Sequence, residues 1–298
     1  MTSAVGKLLL DPDRKLRPLW RVIIFAVLAE YVLAPALGYL VDNILFPGQV
    51  DFSFAPGPIA LGETFTFVIA LICTAIFALY ERRRIDSYGL RVDRALGAPT
   101  LEGFGAGVVM AGAVALGMYL LGGMQVNGLA VSGGAIAGYG LAWLGASLCI
   151  GLAEEFYFRS YFLQTLWKAI GFWPASIVIA LLFAALHYFF KQGENIWDVI
   201  TLVSLSLMMC YSVRRTGALW FAVGFHVAFD FMQFFVIGTP NGNEIPIGRL
   251  FDATFRGPAW LTGGVLGTEA SFLMYPMIAL TWAWIWWRYR DNPDLVPR

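Results

Sequence analysis

The residues best equipped for chemistry in this 298-residue chain are its only two histidines and a short acidic run, all set in apolar sequence. His187 closes Phe183-Ala184-Ala185-Leu186-His187, and His226 opens His226-Val227-Ala228-Phe229-Asp230, which places His226 and Asp230 on one helix face. The run Glu154-Glu155-Phe156-Tyr157-Phe158-Arg159 ends a third apolar stretch. An ionisable side chain in hydrocarbon costs about 2.5–3.5 kcal/mol on insertion scales, so each such residue is a functional hypothesis by default. Glu155 and Arg159 are four apart and can neutralise each other. Glu154 is turned by about 100° from Glu155 and must find its partner on another helix. The plainer readings are a pair with one extra carboxylate marking the cytoplasmic end of a span, and histidines that are satisfied core residues. The absence of any histidine elsewhere weighs toward one shared site.

A carboxylate beside a histidine can take a proton from water, the general-base step of peptide hydrolysis. A second histidine with a polar neighbour can donate to the oxyanion of the tetrahedral intermediate. His187, His226 and Glu154 would also serve as a zinc-ligand set, although no H-E-x-x-H segment is present. A desaturase-type centre needs many more histidines, and a haem held by both would leave Glu154 and Arg159 unexplained.

The elements that must position these residues are membrane helices. Hydrophobic residues make up 59% and charged residues 13%, about half the charged share of a soluble domain. With about 20 apolar residues per crossing, eight spans are expected, near 19–41, 58–80, 102–122, 138–163, 172–190, 196–213, 217–238 and 271–288. The fold class is therefore an all-α polytopic helix bundle. A cytoplasmic N-terminal segment (1–18) precedes the membrane domain (19–290, its site motifs within 150–235), and a cytoplasmic tail (291–298) follows. The first span reads as a retained signal-anchor rather than a cleaved signal peptide, because its apolar run is bilayer-long. Of the 20 basic residues, 16 fall on one side of this alternation and only Lys191, Arg249 and Arg256 on the other. The positive-inside rule then puts both termini in the cytoplasm. Arg82, Arg83 and Arg84 begin a surface segment facing anionic headgroups. A net charge of zero gives no reason to expect nucleic acid, and Cys73, Cys149 and Cys210 lie in apolar runs as buried free thiols. Brought to one depth, Glu154 and His187 require either a fourth helix running on to about Lys168 or a re-entrant turn at 191–195.

Glu154-Glu155-x-x-x-Arg159, Phe183-x-x-x-His187 and His226-x-x-x-Asp230, in this order on three spans, resemble the CaaX-protease and bacteriocin-processing (CPBP, or Abi) family. The run Gly263-Gly264-x-x-Gly267-x-Glu269 is similar to a segment near the C-terminus of bacterial members, which brings Glu269 into consideration. The resemblance implies an eight-helix intramembrane endopeptidase in a bacterial inner membrane, acting on a membrane-embedded or lipid-anchored peptide. By position, Glu154 and His187 would activate water, His226 and Asp230 would stabilise the oxyanion, and Glu155 with Arg159 would support them. Asp230 stands where the prenyl-protein members have asparagine; an ionised aspartate cannot donate, so it would be protonated, orient His226 or bind metal. On the glutamate-dependent reading no cofactor is required; on the metalloprotease reading zinc is. Two other classes remain open: a non-catalytic scaffold or bacteriocin self-immunity protein, and a proton-coupled transporter, against which no inverted repeat is found. Glu30 and Glu63 are further carboxylates within spans, with an interfacial place the plainer reading of Glu63.

Overall fold

The computed structural model describes residues 8–11, 15–48, 53–242 and 244–293. Lys7, Arg14 and Arg298 of the charge argument, and most of the expected segments 1–18 and 291–298, lie outside them. Among the described residues, seven helices are long and apolar enough to cross a membrane: α1 (Pro18–Leu45), α2 (Pro56–Glu81), α3 (Ala98–Leu120), α4 (Gly134–Ile170), α5 (Phe172–Phe190), α6 (Ile196–Thr216) and α7 (Trp220–Ile237). The chain is an integral, multi-pass, essentially all-α membrane protein. The eighth expected span appears as the 15-residue helix α8 (Met274–Arg288), about 22 Å long and shorter than the hydrocarbon layer. The residues before it are drawn off into a 3₁₀ segment, Gly264–Ala270, in which Gly264 and Gly267 take positive φ, as does Gly263 just before it.

Local chemistry sets the breaks. Pro56 occupies the first turn of α2, where its missing N–H costs nothing. Asn195 caps α6 through its side-chain oxygen, which accepts from the Trp197 and Asp198 N–H groups at 2.9 and 3.3 Å. Gly217 ends α6 at φ 72° and allows the tight turn into α7. Within α4, residues 158–162 form a π-helical stretch with Ser160 at φ −83°, ψ −108°, and the Ser160 hydroxyl donates to the Phe156 carbonyl. The helix then continues to Ile170, the longer of the two arrangements expected. Glu154 thereby stands about 24 Å from its far end at 1.5 Å per residue, near mid-span.

The helix that carries His226 is held by backbone-to-backbone contact. A Cβ on Gly103 or Gly107 of α3 would meet the Phe221 or Phe225 carbonyl oxygen at 2.1 or 2.4 Å, and one on Gly224 would meet the Thr100 carbonyl oxygen at 2.2 Å. Gly103 and Gly107 form a small-xxx-small stripe of the kind that lets membrane helices approach closely. From the other side, α4 packs through Gly151 on Val223 and Val227. Gly224→Val is therefore expected to force α3 and α7 apart, at about 1–3 kcal/mol or more. Thermal unfolding of the detergent-solubilised protein should show a clearly lowered midpoint.

Ion pairs gather at one end of the bundle, where Arg21 meets Glu81 at 2.5 Å, Lys168 approaches the same carboxylate at 4.0 Å and Arg288 meets Glu102 at 2.8 Å. This is the end at which the charge alternation puts most basic residues. At the opposite end, β1 (Met124–Leu129) and β2 (Phe251–Phe255) pair antiparallel, tied to α7 by Leu250 N–H donating to the Phe235 carbonyl at 2.6 Å. The long 239–270 loop expected from sequence thus contains a strand, a helical turn (Ala259–Thr262) and the 3₁₀ segment.

Candidate active site

Five spans and two loops aim polar side chains into a cavity of about 180 Å³, Ser206 being the polar residue from α6. Glu154, Glu155 and Arg159 reach it from α4, His187 from α5, His226 and Asp230 from α7, and Glu63 from α2. Lys191 and Glu269 line it from the end that carries the strands. The apolar wall is built from residues such as Ile150, Leu205, Phe225 and Phe229.

His226 is the hub. Its Nδ1 lies 3.1 Å from Glu155 Oε1, while Nε2 is turned to Glu154 Oε2 at 3.6 Å and Asp230 Oδ2 at 3.7 Å. With the Nδ1 proton donated to Glu155, Nε2 is the nitrogen presented to the cavity. Glu155 also meets the Arg159 guanidinium at 3.3 Å, with both side chains 1% exposed. Arg159 in turn donates to Ser206 Oγ at 2.7 Å and lies 4.8 Å from the Phe183 ring centre. The helix-face pairing of Glu155 and Arg159 is present as the spacing required, and His226 shares its carboxylate. Glu154 Oε2 is buried without a hydrogen-bond donor, as expected of a residue whose own helix provides no partner.

His187 faces the same cavity, but no ion-pair contact joins it to Glu154 among the described residues. Its Nδ1 lies 3.0 Å from the Phe183 carbonyl oxygen. That contact assigns the proton to Nδ1 and the lone pair to Nε2. The imidazole in contact with Glu154 is thus His226. Also among the described residues, no three His, Cys, Asp or Glu side chains are arranged to hold a metal ion, and His187, His226 and Glu154 do not form a ligand triad.

Glu269 is bound to Lys191 Nζ at 2.7 Å, and Lys191 also approaches Glu194 at 3.4 Å. Thr268 anchors the segment, its N–H donating to Thr239 Oγ1 at 2.9 Å and its hydroxyl to Gln233 Oε1 at 2.7 Å. Gly267 sits where a Cβ would be 2.0 Å from Thr239 Oγ1, which accounts for one glycine of the run. Burial pushes the Glu269 carboxyl up, but the Lys191 ammonium with His187 and His226 together outweigh it and hold the group below its ordinary 4.5. Burial lowers Lys191, and Glu269, Asp198 and Glu194 together more than reverse this, leaving it above its ordinary 10.5. A depressed carboxylate stabilises the fold above its ordinary value, and a raised ammonium does so below its own. The pair therefore contributes fully between pH 4.5 and 10.5. Lys191→Met should cost about 2 kcal/mol at neutral pH by stranding Glu269. The difference from wild type should shrink as acid protonates Glu269, which melting curves across pH would show.

Glu63, Ser206, Lys191 and the fully buried Asp198 are site or near-site residues that spacing alone did not single out. Glu63 carried a visible signal, a carboxylate two turns inside an apolar run, but its nearness to the end of α2 suggested an interface. Glu30 lies elsewhere; it accepts from the Tyr157 hydroxyl at 2.6 Å and does not line the cavity.

Residues 136–232 match the family model described as type II CAAX prenyl endopeptidase Rce1-like. The matched segment contains Glu154, Glu155, Arg159, His187, His226 and Asp230, whereas Glu63 and Glu269 lie outside it. The resemblance to the CaaX-protease and bacteriocin-processing family is thereby shown over this part of the chain, and it supports a CAAX-type intramembrane protease. Among curated proteins, none matches the chain significantly.

Proposed function

We propose that this multi-pass membrane protein, a relative of the CAAX-type proteases through residues 136–232, is an endopeptidase that cleaves a membrane-tethered or lipidated peptide by carboxylate-activated water. The observation that carries this reading is the contact of Glu154 with His226 Nε2 at 3.6 Å, inside a cavity walled by membrane helices. Glu154 Oε2, with no donor of its own, is placed to take the proton of a water in the cavity. His187 Nε2 offers a second acceptor to orient that water. His226 stands beside the base and, when it carries a proton on Nε2, donates to the oxyanion that forms as water adds to the scissile carbonyl. Asp230, one turn on and 3.7 Å away, positions that ring. Glu155 fixes the other face of the ring, and Arg159 fixes Glu155. Glu154 then returns its proton to the leaving amine, so that proton and peptide bond balance without a cofactor.

By the positive-inside rule, the end bearing Arg21, Lys168 and Arg288 faces the cytoplasm, with the bacterial plasma membrane the proposed location. The test is cleavage of fluorogenic, prenylated and unprenylated membrane-tethered peptides by the purified protein in lipid nanodiscs. Product is expected from at least one of them, and its rate should survive dialysis against a strong chelator. Loss on chelation with recovery on adding zinc would overturn the metal-free route. Full biological complementation by a Glu154→Ala variant would favour a binding or immunity role instead.

A further inference from the structure

More carboxyl groups line the cavity than there are cationic side chains to pair with them. Five carboxylates line it, of which Glu155 is paired with Arg159 and Glu269 with Lys191. Glu63, Glu154 and Asp230 remain, with His226 in contact with the last two. Asp230 has a side chain 9% exposed, lines the cavity and makes no hydrogen bond among the described residues. Glu63 has neither a hydrogen bond nor an ion pair among them, although it lies within electrostatic reach of Glu154, His226 and Asp230. Like charges in a low-dielectric enclosure repel strongly, and an incoming cation relieves them. Glu63 also sits one helical turn beyond Ile59, beside Phe54, Ile150 and Phe234, all lining the same cavity. A carboxyl group set among apolar lining residues suits a side chain with an aliphatic stem and a charged head. Glu63 comes from α2, outside the matched segment that holds the proposed chemistry.

From this we infer that Glu63 is a specificity-determining residue, which selects substrates carrying a lysine or arginine side chain next to the scissile bond. The inference rests on the peptidase reading and names the substrate class of that site.

The test uses pairs of labelled, membrane-tethered peptides that differ only by lysine or norleucine, with the difference walked through the positions flanking the scissile bond. Wild-type protein in nanodiscs should favour lysine at one position by about tenfold in kcat/KM, the discrimination of a single charge-assisted contact. Glu63→Gln should bring that ratio close to one, mainly through KM, and Glu63→Asp should keep part of it. Glu63→Lys should turn the preference toward a glutamate-bearing peptide. Equal cleavage of both peptides at every position overturns the inference. So does a lysine preference that survives Glu63→Gln, or a Glu63→Gln variant that slows both peptides alike and leaves their ratio unchanged. If wild-type protein cleaves none of the peptides, the peptidase reading itself fails. Equilibrium binding of the intact labelled pairs then decides this inference alone, with equal affinities overturning it.

Discussion

Glu154→Gln should abolish cleavage while leaving the protein folded, with a loss of about 10²–10⁴-fold in kcat. The exchange keeps the shape of the side chain and removes only its ability to accept a proton from water. Its structural cost should be small, because Glu154 Oε2 has no hydrogen-bond donor to lose and meets His226 only at 3.6 Å. That separates it from Glu155, whose carboxylate is tied to both Arg159 and His226. Glu154→Asp retains the base but withdraws it by one methylene, so part of the rate should remain. The measurement is turnover of a tethered peptide in nanodiscs, beside melting curves and gel-filtration profiles of the same preparations. Cleavage at the wild-type rate by the glutamine variant would remove Glu154 from the chemistry.

Much of this arrangement is legible in the residues because a membrane makes polar groups conspicuous. The i, i+4 spacing of Glu155 and Arg159 forces them onto one face, and the structure pairs them at 3.3 Å. The same logic, that Glu154 needs a partner on another helix, finds His226 on α7. Spacing says nothing of which histidine meets which carboxylate, since this depends on helix rotation and tilt. The π-helical stretch at 158–162 is hidden for the same reason: Phe158 to Phe162 read as ordinary apolar helix, and the irregular backbone at Ser160 shows only in three dimensions. Glu63 is visible but ambiguous, because distance along α2 does not reveal that the cavity reaches it. The strand pair and the shortened α8 escape a reading by apolar runs, since β1 is six residues long and its partner lies more than 120 positions away.

The second large effect is expected at Glu155 and Arg159, where three variants separate structure from chemistry. Arg159→Met alone leaves the buried Glu155 carboxylate facing His226 without its guanidinium. Glu155→Gln alone leaves the 1%-exposed Arg159 with Ser206 as its remaining side-chain hydrogen-bond partner. Breaking a buried pair from one side costs about 3–5 kcal/mol, because the surviving charge stays desolvated. Each single variant should therefore melt far below wild type and lose activity with its fold. The double variant Glu155→Gln/Arg159→Met buries no uncompensated charge and fills similar volume, so it should regain most of the lost stability. Activity should not return with it. The Glu155 carboxylate 3.1 Å from His226 Nδ1 fixes the orientation and charge of that ring, and an amide there is a weaker partner. A residual deficit of up to about 10⁴-fold in kcat is expected, as when the acid behind a catalytic histidine is made neutral. Melting midpoints and peptide turnover of the three variants test both halves. A double variant that is stable and fully active would make Glu155 purely a packing residue. Single variants as stable as wild type would mean that water reaches the pair despite its burial.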